Sequence, residues 1–217
     1  SACLVGSEMC IRDRAAAGLV RTGRCLSLSR RFPTAAGPRN PNPAQHFMQW
    51  FRRGTGGVAV DYYGINYHGA LCTHIDALSH IWDEHGMWGG RNPTDMLTTQ
   101  GVRWGDIEQW RDGIVTRGVL LDVPRYRAEA YVTADKPVHG WELEAIAAKQ
   151  GVRIEPGDAL LVYSGRERYE ADNTGTSGGS GHPGLHVSCL PFIRDNDIAV
   201  LGWDMMDAGP NEYDIPW

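Results

Sequence analysis

Three histidines, one cysteine and one aspartate lie within thirteen residues, all at even positions: His68, Cys72, His74, Asp76 and His80. Alternate residues of an extended strand share a face, so the first four are predicted to point the same way. His74 and Asp76 would then lie about 7 Å apart along the strand, within reach of one ion. Imidazole together with carboxylate suits Zn²⁺, Mn²⁺ or Fe²⁺, and three protein ligands would leave a coordination position for water.

Ordinary packing is the competing interpretation of these residues. A single histidine in an apolar strand is usually a hydrogen-bonded core residue. Three histidines and an aspartate that are all separated by an even number of positions are harder to explain by packing. The pattern therefore favours a metal or acid–base site. Cys72 could be a soft ligand, but a small buried side chain is the preferred interpretation.

The segment Thr73–His80, THIDALSH, resembles the signature of the cyclase family of metal-dependent hydrolases, H-x-G-T-H-x-D-x-P-x-H. That family includes bacterial kynurenine formamidase and isatin hydrolase. The threonine, both histidines and the aspartate of this segment match the signature in type and spacing. Weaker matches follow in the same order, so that the resemblance covers roughly residues 15–210; they are Gly157–Leu161, Pro183–Leu185 and Leu201–Asp204.

The sequence departs from this signature at three positions. Ala70 occupies the place of the first histidine, Cys72 replaces glycine and Leu78 replaces proline. His68 lies two residues before Ala70, on the same predicted strand face, and could supply the missing imidazole. Because of these departures, a catalytically silent binding protein with the same fold is an alternative to an enzyme.

The resemblance implies a site and a reaction. His68, His74 and Asp76 would hold a divalent ion, Mn²⁺ or Zn²⁺, which activates water and polarises a carbonyl. His80 would take the proton from that water as general base. The family resemblance also implies a second ion. His186 is the preferred late ligand, because it lies in the segment aligned with the family's later ligands, whereas the alternative, His182, sits on a predicted glycine-rich flap. A surface location of both histidines is an equally good interpretation.

The implied activity is hydrolysis of an amide, lactam or ester bond in a small substrate. Aromatic residues near the motif could line a pocket for an aromatic substrate, although scattered aromatics are more often core residues: Tyr63, Trp82 and Trp88. A second enzymatic reading is a metal-dependent cyclase or dehydratase acting on a polyketide-like substrate, with the same ion as Lewis acid.

Composition excludes several other classes. The 217 residues are 42% hydrophobic, enough for a folded core, and no apolar run is long enough to span a bilayer. The net charge is −5 and the basic residues are scattered, which disfavours nucleic-acid binding. Five cysteines without regular spacing indicate neither a disulfide framework nor a zinc ribbon, so we expect a protein of the reducing cytoplasm.

The predicted elements indicate one α/β domain over residues 15–217, after a non-native or disordered leader at 1–14 and with a truncated C-terminus. By resemblance this would be a swivelling β/β/α domain, a β-rich barrel-like core with a few flanking helices, in a homodimer. Predicted strands are Cys25–Ser29, Val58–Tyr63, Ile65–His74, Gly118–Val123, Ala159–Tyr163 and Ile198–Gly202. Predicted helices are Ala15–Arg21, Asp106–Trp110, Trp141–Gln150 and Leu185–Arg194, with at most two helical turns over His46–Arg52.

Overall fold

The computed structural model describes residues 14–68, 71–174 and 181–209. The chain divides into two compact units. The hairpin unit comprises Arg24–Asp112, and the core unit comprises Gly113–Trp217 together with Ser1–Gly23. The predicted leader and chain end fall almost entirely outside the described residues, and the single domain stays a prediction.

The hairpin unit is dominated by a long antiparallel β-hairpin. Strand β1, Gln45–Arg53, pairs with β2, Gly56–Gly64, in a continuous register from Gln45 opposite Gly64 to Arg53 opposite Gly56. The prediction of a strand at Val58–Tyr63 is therefore confirmed. The suggestion of helical turns over His46–Arg52 is wrong, because this aromatic-rich run has strong strand propensity and finds a partner strand ten residues later.

Short elements follow this hairpin. Strands β3, Trp82–Asp83, and β4, Gly86–Met87, form a small antiparallel pair, as do β5, Leu97–Thr98, and β6, Gly101–Val102. Helix α1, Pro93–Met96, begins at Asn92, whose side chain accepts a bond from the Thr94 amide. A 3₁₀ turn over Ile107–Trp110 confirms the short helix predicted there.

Two predicted strands in the hairpin unit are wrong. Residues 25–29 form no regular element, and neither do the described residues between 65 and 80. Among the described residues, neither segment pairs with a neighbouring strand. Alternating sequence alone does not make a strand without such a neighbour.

The core unit contains a three-stranded parallel sheet. Its strands are β7, Gly118–Asp122, β8, Ala159–Tyr163, and β10, Val200–Trp203, in the order β10-β8-β7. Two shorter strands, β9 at Gly184–Leu185 and β11 at Met206–Asp207, pair in parallel. The predicted strands at 118–123, 159–163 and 198–202 are thus confirmed, with β10 displaced toward the C-terminus.

The core unit also contains four helices among the residues from 113 onward that the structure describes. They are α2, Val123–Arg127, α3, Gly140–Gln150, α4, Arg166–Asp172, and α5, Cys189–Asp195. The apolar stripe Leu143, Ile146 and Ala147 of α3 is buried against the sheet, as its spacing predicts. Gly151 ends α3 in the left-handed conformation, which glycine adopts without steric cost. The predicted helix at 185–194 begins later, at Cys189, because Gly184 and Leu185 belong to β9.

A buried ion pair ties α2 to α3. Arg127 donates two hydrogen bonds of 2.6 Å to the Glu142 carboxylate, and it also donates to the carbonyls of Lys136 and Pro137. The Glu142 carboxylate raises the pKa of the Arg127 guanidinium. Because Glu142 is almost fully buried, this pairing is what makes its charge tolerable in the core.

The chain is thus a mixed fold of helices and strands, as predicted. No sheet among the described residues closes into a barrel, so the barrel-like core stays a prediction. Among the described residues, no disulfide joins any of the three cysteines Cys25, Cys72 and Cys189. Among the same residues, no helix is long and apolar enough to cross a membrane.

Candidate metal centre

The motif residues lie on an irregular segment of the hairpin unit that is anchored at both ends. The hydroxyl oxygen of Thr73 accepts a hydrogen bond from the Arg30 amide at 3.0 Å. Further along, the Ser79 amide donates to the Gly105 carbonyl at 3.1 Å, and the His80 amide closes a turn onto Ala77. These hydrogen bonds, rather than the predicted strand, position the side chains.

Three imidazoles converge on one carboxylate oxygen of Asp76. The Nε2 atoms of His68, His74 and His80 lie 3.0, 3.3 and 3.8 Å from Asp76 Oδ1. The ligand atoms of His68, His74 and Asp76 all lie within 4.8 Å of one another. The structure therefore brings together the three residues that the sequence predicted as ligands, with the predicted base beside them.

The hydrogen bond on the far side of His74 fixes which of its nitrogens faces the site. Its Nδ1 lies 2.8 Å from the Cys72 carbonyl oxygen, which can only accept, so Nδ1 carries a proton. Nε2 of the neutral ring then presents a lone pair toward Asp76. Metal-binding histidines commonly donate their other ring proton to a backbone carbonyl in this way.

Two separations at this site are close to those of a coordination sphere. Around a tetrahedral ion with bonds of about 2.0–2.1 Å, neighbouring ligand atoms are roughly 3.3 Å apart. The distances of 3.0 and 3.3 Å from Asp76 Oδ1 to the Nε2 atoms of His68 and His74 agree with that value. The ligand atoms of all three residues lie within 4.8 Å of one another, so His68, His74 and Asp76 could hold a metal ion.

His80 lies beside these three groups, but its Nε2 atom is farther from Asp76 than those of His68 and His74. Its ring stacks on that of His68, with centroids 4.5 Å apart and planes nearly parallel at 5°. Its Nε2 atom is 3.8 Å from Asp76 Oδ1, longer than the other two separations. His80 is therefore close enough to exchange a proton with a group bound at the site.

Tyr67 is a site neighbour that the sequence reasoning did not identify. Its ring meets those of His68 and His74 edge-on, at centroid distances of 6.3 and 5.9 Å, and about half of the residue is exposed. The adjacency of Tyr67 to His68 was visible in the sequence. Its contact with His74 depends on the turn that the chain makes between them.

The predicted substrate-binding aromatics occupy other surroundings within the hairpin unit. Tyr63 stacks on His46 at 4.3 Å, and Trp88 stacks on Trp104 at 5.2 Å. Trp82 is partly exposed in β3. Among the described rings, the stacking and edge contacts with the site imidazoles come from Tyr67 and from the imidazoles themselves. An aromatic pocket that includes these three residues stays a prediction.

The late histidine belongs to the core unit. His186 is nearly buried, its Nδ1 atom accepts a hydrogen bond from the Ser188 amide at 3.2 Å, and its ring lies 4.4 Å from that of His139. Accepting at Nδ1 leaves the proton of the neutral ring on Nε2. The role of His186 as a ligand of a second ion stays a prediction, as does the alternative, His182.

The comparison with protein families agrees with this site. The model of the Cyclase family matches residues 43–210, which is most of the chain and includes the whole histidine and aspartate segment. This protein therefore belongs to the cyclase family.

A solved structure shares the fold. The crystal structure of a protein described as a novel cyclase is 23% identical in sequence and superposes with a TM-score of 0.76. The match covers 89% of this chain and 68% of that one. A search of curated proteins gave no match.

Proposed function

We propose that this protein is a metal-dependent hydrolase that cleaves an amide, lactam or ester bond of a small substrate. The observation that carries the proposal is the convergence of His68 and His74 Nε2 on Asp76 Oδ1, at 3.0 and 3.3 Å. Membership of the cyclase family supports an enzymatic role for that site.

His68, His74 and Asp76 would hold a divalent ion, with Zn²⁺ or Mn²⁺ as the candidates. Two imidazoles and one carboxylate are the donor set of several catalytic zinc sites, which keep a further position for water or substrate. When bound, such an ion lowers the pKa of water and polarises a carbonyl oxygen. His68 and Asp76 are exposed and His74 is half-buried, so solvent and a small molecule can reach the three ligand atoms.

His80 would move the proton in this reaction. A neutral imidazole accepts a proton at Nε2 from the attacking water and can return it to the departing nitrogen or oxygen. The Nε2 atom of His80 faces the ligand group without being one of its three members. Its stacking on His68 limits the ring to orientations parallel to that ligand.

The test combines metal content with product analysis for His80→Ala. The wild-type chain should hydrolyse at least one of three substrate types, N-formyl anilides, isatin-like lactams or lactones, and lose the activity on treatment with a chelator. His80→Ala should retain its metal but lose about 10²–10⁴-fold in kcat, the usual contribution of a general base. His85→Ala, an exposed histidine outside the site, is the matched control and should keep full activity.

The outcomes separate the competing functions. A cyclised or dehydrated product, formed by the metal-loaded protein without hydrolysis, would replace the hydrolase with a cyclase or dehydratase. A protein that binds metal but turns over none of these substrates would favour a catalytically silent binding role. A His80→Ala variant with wild-type kcat would overturn the role of His80 alone.

A further inference from the structure

Tyr67 contacts two of the three predicted metal ligands through its ring. Its centroid lies 6.3 Å from that of His68, with the planes at 77°, and 5.9 Å from that of His74, with the planes at 61°. The two imidazoles meet each other in the same way, at 5.1 Å and 70°. Aromatic pairs favour edge-on contacts at centroid distances of about 4.5–7 Å, so these three rings form one cluster of mutually favourable contacts.

The two ligand imidazoles differ in what else orients them. The His74 ring is fixed on its far side by the hydrogen bond from Nδ1 to the Cys72 carbonyl, and 20% of its side chain is exposed. The His68 side chain is 52% exposed, and its described polar contact is the one with Asp76. Metal-binding histidines usually donate their second ring proton to a protein group, and among the described residues His68 has no such acceptor. Its orientation therefore depends on the neighbouring rings.

The backbone around His68 offers little support of its own. Strand β2 ends at Gly64, and no backbone hydrogen bond between described residues reaches Tyr67 or His68. The next anchor along the described chain is Thr73, whose hydroxyl oxygen accepts a hydrogen bond from the Arg30 amide. The Tyr67 ring spans this stretch, because it contacts both the imidazole next to it in sequence and the second ligand imidazole beyond Thr73.

We propose that Tyr67 is a positioning residue of the metal centre, whose ring holds the imidazoles of His68 and His74 with both Nε2 atoms toward Asp76 before the ion binds. The proposal rests on the proposed function, because it takes these three residues as the ligands of a divalent ion. A ligand side chain that is already ordered loses less conformational entropy on binding. The contacts of Tyr67 therefore raise the affinity of the site for metal.

The ring of Tyr67, rather than its hydroxyl group, carries this role. The two contacts with the imidazoles are ring contacts, which phenylalanine can make equally well. About half of Tyr67 is exposed and it belongs to no regular element, so its replacement leaves the buried core of the protein intact. A variant that keeps the ring and a variant that removes it therefore separate positioning from loss of folding.

The experiment measures the affinity of the full-length protein for Zn²⁺ by calorimetric titration. Tyr67→Phe should bind Zn²⁺ as tightly as the wild type. Tyr67→Leu should bind about tenfold more weakly, the effect of losing two aromatic contacts. The matched control Tyr62→Leu changes an equally exposed tyrosine of the same unit, whose ring stacks on Phe47, and should bind as the wild type does.

Two further measurements distinguish positioning from other roles. Without metal, both Tyr67 variants should keep the wild-type circular dichroism spectrum, which shows that they fold. At saturating Zn²⁺, the kcat of Tyr67→Leu should return to the wild-type value, because the bound ion then orients the ligands itself. A loss of kcat that persists at saturating metal would assign Tyr67 to the chemical step and overturn the proposal.

The outcomes of the titration separate this proposal from the proposed function. Equal Zn²⁺ affinity in the wild type and Tyr67→Leu would overturn the role of Tyr67 and leave the metal site standing. An equal loss of affinity in Tyr67→Phe and Tyr67→Leu would assign the effect to the hydroxyl group and overturn the proposal as well. A wild type that binds no divalent ion would remove the metal centre itself, and both proposals with it.

Discussion

The two units differ in where their apolar side chains lie. In the core unit, twelve hydrophobic residues form one buried cluster that joins the parallel sheet to α3 and α5. In the hairpin unit, the buried hydrophobic residues among those described are Ala44 and Met87, while the aromatics of β1 and β2 are exposed. The core unit thus has a buried apolar core of its own, whereas the hairpin unit carries the candidate site and the exposed β1–β2 hairpin.

This difference suggests a division of roles. Burial of apolar surface supplies most of the favourable free energy of folding, so the core unit should be the more resistant to unfolding. The site segment of the hairpin unit is held by single backbone hydrogen bonds, such as Ser79 to Gly105, and by polar contacts around Asp76. Its order should therefore depend on what binds there.

The largest expected effect comes from breaking the buried ion pair of the core unit. Arg127→Met leaves the Glu142 carboxylate buried without its partner, so the free energy of unfolding should fall by about 3–5 kcal/mol. The matched change in the hairpin unit is Arg111→Met, which removes an exposed pair with Glu108 and should cost no more than about 1 kcal/mol. Urea denaturation measures both, and equal effects would contradict the proposed difference between the units.

The thiols of the two units should differ strongly in reactivity. Burial raises the pKa of Cys189 from its ordinary value of 9.0 to about 12, and its thiol donates to the Val138 carbonyl. Cys25 in the hairpin unit is exposed. Because the thiolate is the reactive form, alkylation of Cys189 near pH 8 should be roughly 1,000-fold slower in the folded protein than in the unfolded chain, and slower than that of Cys25. Peptide mapping by mass spectrometry after timed alkylation gives both rates.

The same shift predicts the direction of an effect of pH on stability. Because the folded protein holds the Cys189 proton more tightly than the unfolded chain, the contribution of this thiol to stability is fully present below pH 9.0 and is lost as the pH rises through about 12. Cys189→Ser removes that ionisation, so the variant should lose less stability than the wild type over this alkaline interval. A larger alkaline loss in the variant would contradict the assignment.

A smaller effect than loss of the buried ion pair is expected on local order when metal is added. Zn²⁺ at about one hundred times its dissociation constant should stabilise the bound state by about 2.7 kcal/mol. Hydrogen exchange should slow at the amides of His74, Ser79 and His80 and stay unchanged within α3. Protection spread equally over both units, or protection that survives in Asp76→Asn, would show that the site segment is not where the ion acts.

Regular elements with a strong local pattern could be predicted from the sequence. The apolar run at 159–163 and the amphipathic run at 141–150 became β8 and α3, because propensity, pattern and capping all agree there. The conformation of residues 46–52 could not be predicted, because the aromatic residues there follow neither a helical nor a strand period. Only its pairing with β2 decides its conformation.

The site could be predicted better than the backbone that carries it. Residue types and spacing identified His68, His74 and Asp76 as a group, although the strand on which that reasoning depended does not form. A turn can bring the same side chains together, since donor atoms at the ends of long side chains reach a shared point from several backbone shapes. The contact of Tyr67 with His74 could not be predicted, because it depends on that turn.

The central claim is that His68, His74 and Asp76 bind one divalent ion, and calorimetric titration with Zn²⁺ and Mn²⁺ tests it most directly. The wild-type protein and the control His85→Ala should bind with the same affinity. His68→Ala, His74→Ala and Asp76→Ala should each bind at least about 100-fold more weakly, since loss of a ligand costs more than loss of an outer hydrogen bond. Wild-type affinity in all three variants would contradict the claim.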